Sequence, residues 1–219
     1  MQLEGKVRPF EVDERWLIVG STGSGKSTFG KFVMANSPAD MPWFFVDSKT
    51  DGLPEVPKAI DITKATKLVN RRLLKIPRLN RVIFDDADDD AKELWDTFCA
   101  AILARGYCGL FIDESYMVPD TPNFRRLFTA GRSRQTPVIA CSQRPVSIPR
   151  VCVSEATRVC AFDLTDERDM KVLQAVAPFD LEHVDPHVHK YYDGKAREVA
   201  MHAPIDKRNF VAKMLGVSV

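Results

Sequence analysis

No stretch of this 219-residue chain holds the roughly 18 consecutive apolar residues that a membrane-spanning helix requires. The N-terminus, with Glu4, Lys6 and Arg8, lacks the leader pattern of a secreted protein. Cysteine is sparse and odd in number: Cys99, Cys108, Cys141, Cys152 and Cys160 lie in apolar segments without CxxC spacing. That excludes a disulfide framework or cysteine zinc cage and points to small core residues in a reducing compartment. Net charge is almost absent, since 31 Lys and Arg face 30 Asp and Glu for a balance of +1. A polyanionic partner would have to be met by a local patch. Internal repeats and low-complexity tracts are missing too. A soluble, cytosolic chain is expected.

What is present suits one sizeable core, with 45% hydrophobic residues. We expect a single domain over residues 1–219, its core at about 15–165 and a hairpin and helix at about 185–219. Trp16-Leu17-Ile18-Val19 reads as a buried strand, and Gly20-Ser21-Thr22-Gly23-Ser24-Gly25-Lys26-Ser27-Thr28 follows it. Strand, glycine turn and helix start are the context a phosphate-binding loop requires. Its glycines let backbone N–H groups converge on phosphates, Lys26 reaches the β and γ oxygens, and Ser27 is placed for Mg²⁺. A nucleoside triphosphate, ATP, is the expected ligand.

Downstream, the pattern alternates. A helix is expected from Lys26 to Asn36, a strand at Trp43–Val46, and a helix from Lys64 to about Lys75 capped by Thr63. Strands follow at Arg81–Phe84, Leu110–Ile112 and Val138–Cys141, with a helix before Gly106. Such alternation predicts an α/β fold with a mainly parallel central sheet flanked by helices. Residues 188–201 read instead as a β-hairpin around Asp193-Gly194-Lys195 that finishes one sheet edge, followed by a short terminal helix.

Asp113-Glu114 stand directly after Leu110-Phe111-Ile112, at the carboxyl end of a strand, where open α/β sheets bind ligands. This pair resembles a Walker B motif, with Asp113 on Mg²⁺ through a water and Glu114 as acceptor of a proton from attacking water. The run Asp85 to Asp90 is an acidic rival, more simply read as a solvated first turn of a helix. Gln143, at the end of the Val138–Cys141 strand, is either a reporter on the γ-phosphate or a solvated turn residue. Arg132 and Arg134 are either surface charge or suppliers of transition-state charge to a neighbouring subunit.

The segment Gly131 to Pro145, Gly-Arg-x-x-x-x-x-Val-Ile-Ala-x-x-Gln-Arg-Pro, resembles the sensor-bearing segment of the FtsK/HerA ATPase superfamily. More narrowly, it is similar to the small genome-packaging ATPases of tailless, membrane-containing phages and large DNA viruses. Val46-Asp47-Ser48-Lys49 is similar to the family's Asp-Pro-Lys, with Ser48 in place of proline, and Ala156–Phe162 resembles its next strand. The likeness spans roughly residues 15–165. It implies a P-loop fold of the RecA/ASCE type, Gln143 as sensor and Arg132 as trans-acting arginine finger, with Arg134 as substitute. It further implies a ring of five or six copies that moves double-stranded DNA, a capsid vertex or portal protein as partner, and residence in the infected cytoplasm or at the virion's packaging vertex.

Between Asp61 and Asp85 basic residues stand without acidic ones, and Lys64, Lys67, Arg71 and Lys75 recur at helical spacing beside Arg72. The stripe is either a phosphate-contacting face or a solvated helix surface. If the hairpin pairs Tyr192 with Arg197, His187 falls opposite His202 with His189 on the same face. Three imidazoles there offer a zinc site, or simply pack at an edge. A nucleotide kinase and a nucleotide-switched phage assembly factor remain alternative functions.

Overall fold

The computed structural model describes residues 10–47, 56, 58–71, 76–87, 89–180 and 184–205. Short apolar runs become the central strands: β1 (Arg15–Val19), β2 (Trp43–Asp47), β3 (Ala59–Asp61), β4 (Leu79–Ile83), β5 (Gly109–Ile112), β6 (Val138–Ser142) and β7 (Arg158–Ala161). All seven run parallel, and the antiparallel hairpin of β8 (His189–Asp193) and β9 (Glu198–His202) extends the edge beside β7. The order is β3-β4-β2-β5-β6-β1-β7-β8-β9. The phosphate-loop strand β1 therefore lies between β6 and β7, and β5 lies one strand beyond β6.

Strand side chains alternate between two faces, and both are buried. Leu17, Val19, Phe44, Val46, Leu110, Ile112, Val138 and Ala140 share one core with Trp95, Phe98 and Ile102 of α3 (Ala91–Arg105). Trp16, Ile18, Trp43, Phe45, Phe111, Ile139 and Cys141 share the other with Phe29, Val33 and Met34 of α1 (Lys26–Ala35). Burial on both faces is why these strands read as unbroken apolar runs, as parallel sheets require. Each fully buried large side chain contributes about 1.5–3 kcal/mol of transfer free energy. All five cysteines are free and buried, and burial pushes the Cys108 thiol up to about 12, so they serve as core residues.

Helix α2 (Ile62–Asn70) differs from expectation at both ends. Its cap is Asp61, whose carboxylate accepts from the Lys64 N–H at 2.8 Å, because the short strand β3 delivers the chain two residues earlier and leaves Thr63 inside the helix. It ends at Asn70, short of the expected Lys75, because Arg71 leaves helical geometry at ψ 73°; Arg72 and Lys75 lie outside the described residues, as do Ser48, Lys49 and the terminal segment read as a helix. Three further helices, α4 (Pro122–Ala130), α5 (Arg150–Ser154) and α6 (Glu167–Gln174), complete the cover.

The hairpin register is shifted by two from expectation: Tyr192 faces Val199 and His189 faces His202. Asp193 causes the shift by accepting from the N–H groups of Lys195 (2.9 Å) and Ala196 (3.1 Å), while Arg197 closes the loop at φ 59°. His187 thus falls outside the ladder, and no group of three metal-ligating side chains occurs among the described residues. The three-histidine alternative for zinc is not assembled among the described residues, and His189 and His202 pack against each other at the sheet edge instead.

A buried ion network joins the hairpin to the parallel strands. Arg158, 1% exposed, donates from Nε to Glu14 at 2.8 Å and from Nη1 to the Tyr191 hydroxyl at 2.7 Å, and pairs with Asp193. Replacing Arg158 by Met would strand two buried carboxylates, Glu14 and Asp193. Urea unfolding should show a loss of about 3–5 kcal/mol, partly regained when Glu14→Gln is added.

Candidate active site

The loop from Gly20 to Ser27 leaves β1 at its carboxyl end, and the Gly20 N–H donates to the Ser142 carbonyl of β6 at 3.2 Å. Gly20 has φ 153°, and a Cβ there would stand 2.6 Å from the Phe162 Cβ. Gly25 caps α1 at φ 107° without a side-chain acceptor, so the first N–H groups of the helix are offered to an anion, as in phosphate-binding helix starts. Lys26 is buried and its ammonium donates to the Ser21 carbonyl at 2.8 Å, folded back over the loop.

Two chains of contact cross from this loop to the ends of β5 and β6. The Ser27 hydroxyl donates to Asp113 Oδ1 at 2.6 Å. Burial pushes the Asp113 carboxyl above the usual range, the Ser27 bond opposes this, and Glu114 beside it adds to the rise. In the second chain the Thr22 hydroxyl donates to Gln143 Oε1 at 2.6 Å, and the Gln143 amide donates to Glu114 Oε1. Glu114 is itself buried. Gln143 is therefore no solvated turn residue; the adjacent Arg144 takes the surface, paired with Asp169 at 3.3 Å.

The expected residues Gly20 to Thr28, Asp113, Glu114 and Gln143 thus form one cluster. The acidic rival does not join it: Asp85, Asp86, Asp89 and Asp90 are exposed beyond β4, four strand positions from β1. That is roughly 19 Å at ordinary strand spacing. Asp47 ends β2 beside β5 and is held by Arg81, with Nη2 2.8 Å from Oδ2. Arg132 lies elsewhere. It precedes β6, at the amino end of the sheet, 69% exposed and paired through Nε with Asp13 at 3.0 Å. The five residues of β6 put it on the order of 15 Å from its own loop. Arg134 is exposed on the same 3₁₀ turn. Lys64 and Lys67 on α2 and Arg71 at its C-terminal cap are exposed, Lys64 pairing with Asp61 at 2.9 Å.

Sequence reasoning missed the Thr22–Gln143 contact, because nothing in the loop's motif names its second hydroxyl as a partner of β6. It also missed Asp13 as the holder of Arg132, which no local pattern signals.

A parallel sheet with a phosphate loop on its central strand, an Asp-Glu pair one strand beyond β6 and a glutamine at the β6 end defines a P-loop NTPase fold. The chain is 34% identical over 175 residues to the DNA packaging ATPase P9 of Enterobacteria phage PRD1, covering 77% of this chain and 72% of that protein. It belongs to this family of viral DNA-packaging ATPases. No protein-family model matches the chain. Its fold is also that of the genome packaging NTPase B204 of Sulfolobus turreted icosahedral virus 2, solved with AMPPCP (TM-score 0.69, 18% identity, 89% of this chain and 100% of that one). The conjugative coupling protein TrwBΔN70 shares it as well, at TM-score 0.64 and 11% identity over 94% of this chain and 88% of that one.

Gly20→Ala should weaken ATP binding by at least about tenfold, since its Cβ forces the loop away from Phe162. Isothermal titration, with circular dichroism to verify the fold, measures this. Unchanged affinity would mean the loop tolerates the displacement.

Proposed function

We propose that the chain hydrolyses ATP to drive double-stranded viral DNA into a capsid, acting as a ring of five or six copies at a packaging vertex assembled in the host cytoplasm. The observation that carries the hydrolytic part is the convergence of Asp113 and Glu114 on the loop through Ser27, Thr22 and Gln143.

Loop N–H groups and Lys26 bind the phosphates. The Ser27 hydroxyl and Asp113 carboxylate are hard oxygen donors brought within 2.6 Å of each other, which suits Mg²⁺. When bound there, Mg²⁺ neutralises charge on the phosphate oxygens. Glu114 takes a proton from the attacking water, and burial behind β5 keeps competing solvent from it. Gln143 orients that water and Glu114 together. Arg132 is too distant to serve its own loop, so it completes a neighbour's site by stabilising charge on the transferring phosphoryl group. Release of Arg132 from Asp13 accompanies that engagement. Lys64, Lys67 and Arg71 are the exposed candidates for DNA phosphates; the other two candidates, Arg72 and Lys75, lie outside the described residues.

Linear duplex DNA should stimulate ATP turnover several-fold, and Lys67→Glu with Arg71→Glu should weaken DNA binding and flatten its salt dependence. Absence of stimulation at every salt concentration, with phosphorylation of a nucleotide acceptor, would identify a kinase instead.

Arg132→Ala should abolish turnover while nearly preserving ATP binding, and Glu114→Gln should lower kcat by about 10²–10⁴. Mixed rings of the two variants should recover partial activity at hybrid interfaces. No recovery in rings shown to be mixed would rule out action in trans.

A further inference from the structure

The sheet by itself does not fix Gln143. Strand β6 ends at Ser142, which pairs with Val19 of β1 and accepts from the Gly20 N–H at 3.2 Å, and Gln143 is the first residue beyond that ladder. Of residues 143–147, Pro145 alone is buried; the Arg144 side chain is 50% exposed and Val146 is 44% exposed. Apolar packing therefore holds little of the segment that presents the glutamine to Thr22 and Glu114.

Polar anchors hold it instead. The Arg144 N–H donates to Ser142 Oγ at 3.0 Å, which folds the chain tightly around Gln143. Downstream the anchor is Asp169 of α6, a carboxylate only 1% exposed. Its Oδ1 accepts from the Val146 N–H at 2.8 Å, and its Oδ2 lies 3.3 Å from Arg144 Nε. Asp169 thus grips the two residues that flank Pro145. Helix capping does not account for this contact. Asp166 caps α6 by accepting from the Arg168 N–H at 2.9 Å, and Asp169 is the third residue of the helix. An acidic side chain at that position commonly turns back to the N–H of the cap. Here it turns to the neighbouring 3₁₀ turn Pro145–Ser147. A carboxylate withdrawn from water and matched by a backbone donor and a guanidinium is a strong, directional clamp.

We propose that Asp169 is a positioning residue for the hydrolytic site: by clamping Arg144 and Val146 it sets the orientation in which Gln143 meets Thr22 and Glu114. The inference rests on the reading of Gln143 as the group that orients water and Glu114. Tolerance is small because one side chain spans two partners, its Oε1 accepting from Thr22 at 2.6 Å while its amide donates to Glu114. Misplacing a catalytic group by about 1 Å costs up to about 10²-fold in rate. Phosphate binding is left to the loop and Lys26, so the clamp governs turnover rather than affinity.

The test compares the full-length wild type with Asp169→Ala, Asp169→Asn, Gln143→Ala and the Asp169→Ala, Gln143→Ala double variant. ATP turnover with duplex DNA, ATP binding and amide hydrogen exchange are measured. Asp169→Ala should lower kcat by about tenfold or more, with the Kd for ATP within about twofold of wild type. Asp169→Asn keeps an oxygen acceptor for the Val146 N–H and should recover most of that loss. In the Gln143→Ala background, Asp169→Ala should cost at most about twofold more, because the residue it acts through is gone. Exchange at residues 144–147 should quicken in Asp169→Ala while β6 is unchanged. Arg144→Met, a surface change that removes one of the two contacts, should give a smaller loss of the same kind and serves if Asp169→Ala does not fold. Full additivity of the Asp169 and Gln143 losses, an equal loss of ATP affinity, or an unaltered kcat would overturn the proposal. Wild-type turnover by Gln143→Ala alone would instead remove the reading of Gln143, and Asp169 would then anchor the turn without a part in hydrolysis.

Discussion

Arg158 is the point on which two kinds of sheet are joined. Its guanidinium lies at the start of β7 and meets Glu14 before β1, together with Tyr191 and Asp193 of β8. Without that charge, the antiparallel hairpin would face the parallel strands across two buried carboxylates. Trp16 and Tyr191 lie against the guanidinium, each centroid 6.0 Å from Cζ, so the network is packed by apolar surface and kept from water. The same junction sets the height of the hairpin relative to the phosphate loop. His187 reaches Ser24 only because β8 enters the sheet in this register.

Sheet polarity then divides the molecule's chemistry. Every parallel strand ends on the side of the loop, which gathers Asp113, Glu114 and Gln143 around it. Arg132 precedes β6 and is consigned to the opposite edge, where Asp13, also close to Lys195, holds it. Under the proposed roles, a single copy would own the phosphate loop, the metal donors and the base, but not the arginine. In an ordered ring, one subunit's amino edge beside the next subunit's carboxyl edge would complete the site. Hydrolysis would then depend on assembly by geometry, without a separate regulatory part.

Much of this was legible in the sequence, for a physical reason. Strands buried on two faces read as four-residue apolar runs, so β1, β2, β5 and β6 were visible, and the loop's glycines and Asp113-Glu114 are local patterns tied to strand ends. What escaped depends on tertiary context. Strand β3 is three residues long with partly exposed side chains, and its existence moved the α2 cap from Thr63 to Asp61. Helices α4 and α6, of nine and eight residues, are short enough that packing rather than propensity stabilises them. The hairpin was seen but misregistered by two residues. Such a slip keeps every side chain on its face while changing every partner, which is why the histidine pairing failed although the alternation held.

If the loop holds a triphosphate as proposed, the Thr22–Gln143–Glu114 chain would give it a means of sensing its own occupancy. In this geometry the Gln143 carbonyl is occupied by the Thr22 hydroxyl and its amide by Glu114. A γ-phosphate seated above the loop competes for the Thr22 hydroxyl and the Gln143 amide, because both are donors and the phosphate oxygens are stronger acceptors than a neutral amide carbonyl. Losing the amide would change the hydrogen bonding of Glu114, the proposed acceptor of the water's proton. Under the proposed roles the glutamate would thereby be released toward the water only when the terminal phosphate is present, and the β6 strand that leads to Gln143 also begins a few residues after Arg132. Occupancy at one end of β6 and the proposed subunit contact at the other would thus be joined by five residues of buried strand.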